Sequence, residues 1–152
     1  MQTQLKLAIG CDLAAYDFKI IVRDRLLERG YQLEDLGCNS SFEGDFPHVA
    51  EKVAKRVVAG EFDRGLLLCG TGQGMAIAAN KVQGVRAALC YDIFPALMSR
   101  EHNDTNILCS GCWLISPEKY LEMVETWLFG KFAGGRHAER IAFITKLEAE
   151  RL

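Results

Sequence analysis

The run Gly65-Leu66-Leu67-Leu68-Cys69 offers no polar side chain to either side of an extended chain. A strand that is apolar on both faces must be covered on both, which is what a parallel sheet clad by helices provides. The rest of the chain supplies that cladding. Leu5–Gly10 reads as a first strand, followed by a helical stretch over Ala15–Arg29, with Gly30 where a helix-terminating glycine belongs. Tyr31–Leu36 reads as the second strand and 37–45 as a polar loop. Pro47 then suits a first helical turn, and Val49, Ala50, Val53, Ala54, Val57 and Val58 recur at three and four residues, giving one apolar helix face that ends near Gly60.

After the central run come a short helix at Met75–Lys81, a fourth strand at Val85–Tyr91, a helix at Phe94–His102 and a short fifth strand at Ile107–Cys109. Two helices close the chain: Pro117–Phe129, with Ser116 as its N-cap, and one from His137 to the end with Ile141, Ile144 and Leu147 on one side. Five alternations of strand and helix predict a three-layer α/β sandwich around a mostly parallel sheet of about five strands, joined by right-handed crossovers.

Length and charge narrow the function classes. The 152 residues suit one domain, residues 1–152, with a core that needs no staples. Eighteen basic against twenty acidic residues leave a net charge of −2, which disfavours nucleic acid and favours a small-molecule partner. No apolar run approaches the ~18–20 residues of a membrane span, and the polar start has no signal-peptide core, so a cytoplasmic protein without membrane attachment is expected. The six cysteines are read as thiols, mostly small buried hydrophobes.

In folds of this kind ligands bind beyond the carboxyl ends of the strands. There stand Cys11-Asp12 after the first strand, Cys69-Gly70-Thr71-Gly72-Gln73-Gly74 after the third and Asp92 after the fourth. Alternating glycines let backbone N–H groups turn inward into an anion-binding nest, although a tight strand-to-helix turn that binds nothing is the alternative. Cys69, ending a buried strand beside a helix start, is the candidate base or nucleophile. No P-loop pattern is present. Asp92 lies where a dinucleotide fold places its ribose-binding acid, but the G-x-G-x-G spacing and the short helix after it argue against that use.

His48 begins a helix and reads as a surface or capping residue. His102 opens the polar run His102-Asn103-Asp104-Thr105-Asn106, which is either a solvated turn or a loop facing a ligand. Arg136 and Arg140 lie one helical turn apart beside His137, a pair able to clamp a phosphate or simply to be solvated. Cys109-Ser110-Gly111-Cys112 has the spacing of a redox pair or half a zinc site. No second pair completes four ligands, so no metal is expected and packing thiols are the reading, with a redox pair as the alternative.

Taken in order, Gly10-Cys11-Asp12, Asp45-x-Pro47-His48, Cys69-Gly70-Thr71-Gly72-x-Gly74, Ala79-Asn80-Lys81, Gly84-x-Arg86-Ala87, His102-Asn103-Asp104-x-Asn106 and Gly135-Arg136-His137-x-x-Arg140 resemble the ribose-5-phosphate isomerase B and galactose-6-phosphate isomerase family over residues 6–148. The resemblance implies a Rossmann-like fold, a cofactor-free and metal-free aldose–ketose isomerase of a sugar phosphate, and a homodimer or tetramer with active sites shared between subunits. It implies Cys69 as the base that moves a proton through a cis-enediolate, with Thr71 and the amides of Gly70, Gly72, Gln73 and Gly74 holding the oxyanion. It implies His102 for ring opening, Asp12 and Asn103 for sugar hydroxyls, and Arg136, His137 and Arg140 for the phosphate. Leu13, Phe46 and Trp113 stand where the family commonly has His, Tyr and Arg. That departure implies either an altered sugar preference or a non-catalytic subunit that keeps the fold.

Overall fold

A computed structural model describes residues 4–39 and 45–151; most of the polar loop expected after the second strand, residues 40–44, lies outside them. The strands are β1 (Lys6–Cys11), β2 (Gln32–Asp35), β3 (Arg64–Cys69), β4 (Ala87–Leu89) and β5 (Ile107–Gly111). The helices are α1 (Tyr16–Glu28), α2 (Phe46–Val58), α3 (Gln73–Ala79), α4 (Ile93–Asn103), α5 (Pro117–Phe129) and α6 (Arg136–Ala149), with a 3-10 turn at Leu13–Ala15. The sheet order is β2-β1-β3-β5-β4 and every pairing is parallel. Among the described residues no helix is long and apolar enough to cross a membrane.

β3 takes the central place that its composition demands. Leu66, Leu67 and Leu68 are wholly buried, and the two-residue period of a strand divides them between two cores. Leu66 and Leu68 pack with Phe18, Val22, Leu26, Tyr120 and Trp127 of α1 and α5. Leu67 and Cys69 pack with Val49, Val53, Met75 and Ala76 of α2 and α3. At the start of α5 the Ser116 hydroxyl accepts the Lys119 N–H at 3.2 Å, with Pro117 beside it, as the sequence predicts.

The structure corrects four boundaries. β4 is three residues long, because Val85 closes a turn onto the Val82 carbonyl and the Arg86 N–H goes to Asn106 Oδ1 instead of to a strand. At this edge of the sheet the Asn80 amide bonds both N–H and C=O of Ala87, so a side chain stands in for a missing sixth strand. β5 runs on to Gly111, where a Cβ would come within 2.6 Å of the Thr71 backbone, so the absent side chain lets the strand pass under the glycine loop. α3 starts two residues early, at Gln73. α4 takes in His102, as expected, and runs one residue further to Asn103, where the turn or ligand-facing loop was read; Asp104 ends it with a left-handed φ of 47°.

All six cysteines are free thiols. Cys109 and Cys112 pack against the two opposite cores, so they form no redox pair. Burial pushes the Cys11 thiol up to about 12, the Cys109 thiol higher still, and Cys90 to about 11.

One buried charge braces the edge of the sheet beside Asp12. Lys19, wholly buried, donates to Asp35 Oδ1 at 2.8 Å and to the Cys38 carbonyl at 2.7 Å, while Asp35 also accepts the Gly37 N–H. This fixes the turn after β2, whose Gly37 carbonyl accepts the Cys11 N–H at 2.7 Å. Asp35→Ala leaves the ammonium without its counter-ion and is expected to cost about 3 kcal/mol, measured by urea unfolding; a loss below about 1 kcal/mol would show that Lys19 finds water instead.

Candidate active site

The carboxyl ends of β1, β3 and β5 meet around one thiol. Cys69 Sγ accepts the Gly72 N–H at 3.0 Å, so a backbone donor already points at the atom that would carry negative charge. The loop closes only because Gly72 adopts φ +82° and has no Cβ, which would come within 2.6 Å of the Ser110 carbonyl. Tyr91 Oη donates to the Thr71 carbonyl at 2.6 Å and pins the loop from the side of β4. Thr71 is half-buried, its Oγ1 accepting the Gln73 N–H at 3.4 Å.

Asp12 caps the 3-10 turn, its Oδ1 accepting the Ala15 N–H at 3.2 Å. Burial raises its carboxyl, and the charge of Asp45 adds to the rise, against the donors of Ala15 and Ala14. The Cys112 thiol is raised by burial and then by the Asp12 carboxylate; it donates to the Ala14 carbonyl at 3.4 Å and so ties the end of β5 to the Asp12 turn. Sequence reasoning missed both Tyr91 and Cys112 as parts of this site. Their signal was position: Cys112 directly follows β5, and Tyr91 comes two residues after β4.

The other predicted residues gather elsewhere. The His102 and His137 rings stack at 4.3 Å between centroids with a 5° interplanar angle, joining the last turn of α4 to the first of α6. Left-handed backbone at Gly134 and Gly135 turns the chain into α6, and the Ala133 N–H bonds the Glu101 carbonyl at 2.9 Å. Arg136 and Arg140 are exposed beside them. Burial lowers the His137 imidazole, and the positive charges of His102, Arg136 and Arg140 push the same way. Two guanidiniums and two imidazoles at a helix start suit a dianionic phosphate. Asn103 is held nearby: Arg86 Nε donates to the carbonyls of Asn103 and Asp104, each at 3.0 Å, and its NH2 to Asp104 Oδ2.

These two groups stand at opposite ends of the sheet. α4 returns antiparallel to the strands, so His102 and Asn103 lie near Asn106, whose carbonyl accepts the Gly65 N–H at the beginning of β3. Cys69 is at the other end of that six-residue strand, roughly 16 Å away at ~3.3 Å per residue. Of the predicted site residues, Asp12, Cys69, Thr71 and the glycine loop stand beyond the carboxyl ends, and His102, Asn103, Arg136, His137 and Arg140 stand at the opposite end.

Asp92 is occupied otherwise, capping the Ile93 N–H at 2.8 Å and pairing with Lys119 at 3.3 Å. Among the described residues no three His, Cys, Asp or Glu side chains converge as a metal shell requires.

The wholly parallel sheet carries a thiol under a glycine loop at one end and a basic cluster at the other, a candidate site for a small anion on an α/β fold. Residues 7–144 match the ribose/galactose isomerase family. Ribose-5-phosphate isomerase B of Escherichia coli is 43% identical over 96% of this chain and 98% of its own length. The Clostridium thermocellum ribose-5-phosphate isomerase B structure superposes with a TM-score of 0.94 at 44% identity, covering 97% of this chain and all of that one. The Mycoplasma genitalium enzyme, solved with ribulose 5-phosphate bound, gives 0.89 at 35% identity over 95% and 97% of the two chains. The chain belongs to the ribose/galactose isomerase family, and it is an aldose–ketose isomerase.

The basic cluster makes a testable prediction. The His137 imidazole should titrate below 6.5 in the free protein. Inorganic phosphate, bringing negative charge, should raise its midpoint in histidine NMR titrations. A midpoint unmoved by phosphate would show that the cluster holds no anion.

Proposed function

We propose that this isomerase interconverts a phosphorylated aldose and its ketose, of the ribose 5-phosphate and ribulose 5-phosphate type, through a cis-enediolate with Cys69 as the base. The observation that carries the proposal is the Gly72 N–H on the Cys69 sulfur at 3.0 Å, inside a loop whose other amides belong to Gly70, Thr71, Gln73 and Gly74. The thiolate takes the proton from C2, which puts negative charge on the oxygen of C1; the C2 hydroxyl proton then passes to that oxygen and the thiol returns its proton to C1, leaving the carbonyl at C2. Fixed N–H dipoles at that oxygen stabilise it without reorganising, and the Thr71 hydroxyl adds a donor. Asp12 and Asn103 orient hydroxyls. His102 opens the ring, and Arg136, His137 and Arg140 hold the phosphate.

The separation of the two residue groups supports a homodimer, alone or paired into a tetramer, in which each active site takes its thiol from one subunit and its phosphate clamp from the next. Free thiols and the absence of a long apolar helix among the described residues fit a cytoplasmic enzyme.

Deuterium incorporation from D₂O into a sugar phosphate, followed by proton NMR, tests the chemistry. Cys69→Ala is expected to lose at least about 100-fold in exchange. Near-full turnover by that variant would rule out the thiol base, and binding without exchange by the unaltered protein would favour the non-catalytic subunit. Shared sites are tested by mixing. Cys69→Ala and His102→Ala chains, each inactive alone, should regain about a quarter of the activity when dissociated and reassembled together, because half of the dimers are mixed and each carries one intact site. No recovery from folded, mixed dimers would place each site within one chain.

A further inference from the structure

The helix end that carries His102 and Asn103 is built against two local rules. Asp104 closes α4 with a left-handed φ of 47°, where glycine costs least, and it brings a carboxylate to a helix C-terminus, where the dipole favours a cation. The backbone motif is complete without that side chain: the Asp104 N–H bonds the Arg100 carbonyl and the Thr105 N–H the Ser99 carbonyl, each at 3.2 Å. What the carboxylate adds is a bond to each of two arginines.

Arg100, buried on α4, donates from Nη1 to Asp104 Oδ1 at 2.9 Å and also to the Thr105 carbonyl. Arg86, at the entry to β4, donates from Nη2 to Asp104 Oδ2 at 3.0 Å, while its Nε spans the carbonyls of Asn103 and Asp104. One carboxylate thus joins the last turn of α4 to the edge strand of the sheet. It also keeps like charges together: burial lowers the nearby Arg64 guanidinium, the charge of Arg100 lowers it further, and Asp104 opposes both.

The turn held in this way supports the basic cluster. His102 stacks on His137, and the Glu101 carbonyl accepts the Ala133 N–H at 2.9 Å. The first turn of α6, a helix that buries no side chain, is therefore placed by the last turn of α4.

We propose that Asp104, gripped by Arg86 and Arg100, is a positioning residue for the isomerisation: it sets the end of α4 so that His102 meets the sugar ring and, through the ring stack, Arg136 and Arg140 meet the phosphate. The inference rests on the roles given to those residues above, and it holds whether His102 serves its own chain or a neighbouring one.

Asp104→Gly separates capping from positioning. Glycine is the better helix terminator, so a residue that only capped α4 would be replaced without loss of activity. The two sugars supply the readout. Ribose 5-phosphate closes to a furanose, whereas ribulose 5-phosphate carries its phosphate on the oxygen that would close the ring and stays open. Asp104→Gly should raise KM on both sugars, cut kcat for ribose 5-phosphate isomerisation at least about tenfold, and leave saturated deuterium exchange at C1 of ribulose 5-phosphate within about twofold. The ring-proton signals of the stacked His102 and His137 should shift in the same variant.

Unchanged kcat and KM in folded Asp104→Gly overturn the proposal, and so does an equal loss of kcat in the two reactions. Arg86→Lys keeps the charge and removes the fork across two carbonyls, so it should show the same split in weaker form. If Asp104→Gly fails to fold, a fully active Arg86→Lys overturns the proposal. Absence of exchange by the unaltered enzyme would instead overturn the isomerase reading.

Discussion

Everything in this molecule is referred to β3. A strand apolar on both faces has to be central, and a central strand with parallel neighbours forces every connection to cross from one edge of the sheet to the other. The crossovers cover the two faces with α1 and α5 on one side and α2 and α3 on the other. They also divide the candidate site residues, because whatever follows a strand lands at one end of the sheet and whatever ends a returning helix lands at the opposite end. The double-sided burial of Leu66, Leu67 and Leu68 is thus the reason that Cys69 and His102 cannot meet within one chain.

Around Cys69 the same close packing shapes the candidate site. The glycine loop is held by contact: the backbone of Ser110 under Gly72, the Trp113 indole on Gly70 and the Tyr91 hydroxyl on the Thr71 carbonyl. A loop restrained at three points holds its N–H groups in fixed orientations, which is what the proposed oxyanion stabilisation requires. The amino-end cluster is built differently, from exposed cations whose mutual repulsion a bound anion would relieve.

Much of the fold was legible in the residues. Gly65–Cys69 named the central strand, the three- and four-residue spacing of valine and alanine gave α2, and Ser116-Pro117 marked the start of α5. The errors fell where local composition is ambiguous. Val85–Tyr91 is apolar enough for a full strand, but side chains of Asn80 and Asn106 take the backbone bonds at its beginning. The helix expected to end at His102 takes in Asn103 as well, until Asp104 turns left-handed, a conformation that an aspartate tolerates and the sequence does not announce. The site was legible as residue types through resemblance to a family, and its division between two ends of the sheet followed from strand direction once the sheet was known. Tyr91 carries no motif of its own, and the C-x-x-C spacing of Cys112 pointed to a redox pair or a zinc site and not to the turn that holds Asp12.

The last helix carries a consequence of another kind. α6 spans fourteen residues without one buried side chain, and Phe143, Ile144 and Leu147 face outward. Helices of this length are marginal in water on propensity alone. The local ties of α6 are few: the Glu148 carboxylate on the Gly84 N–H and the ring stack at its first turn. Order in α6 therefore depends on whatever covers its apolar side, and the arginines at its start inherit that dependence. If a neighbouring copy is the cover, the order of α6 becomes a function of protein concentration: a dilute chain would lose the rigidity of its last helix, and with it the placement of Arg136 and Arg140, before it lost its fold.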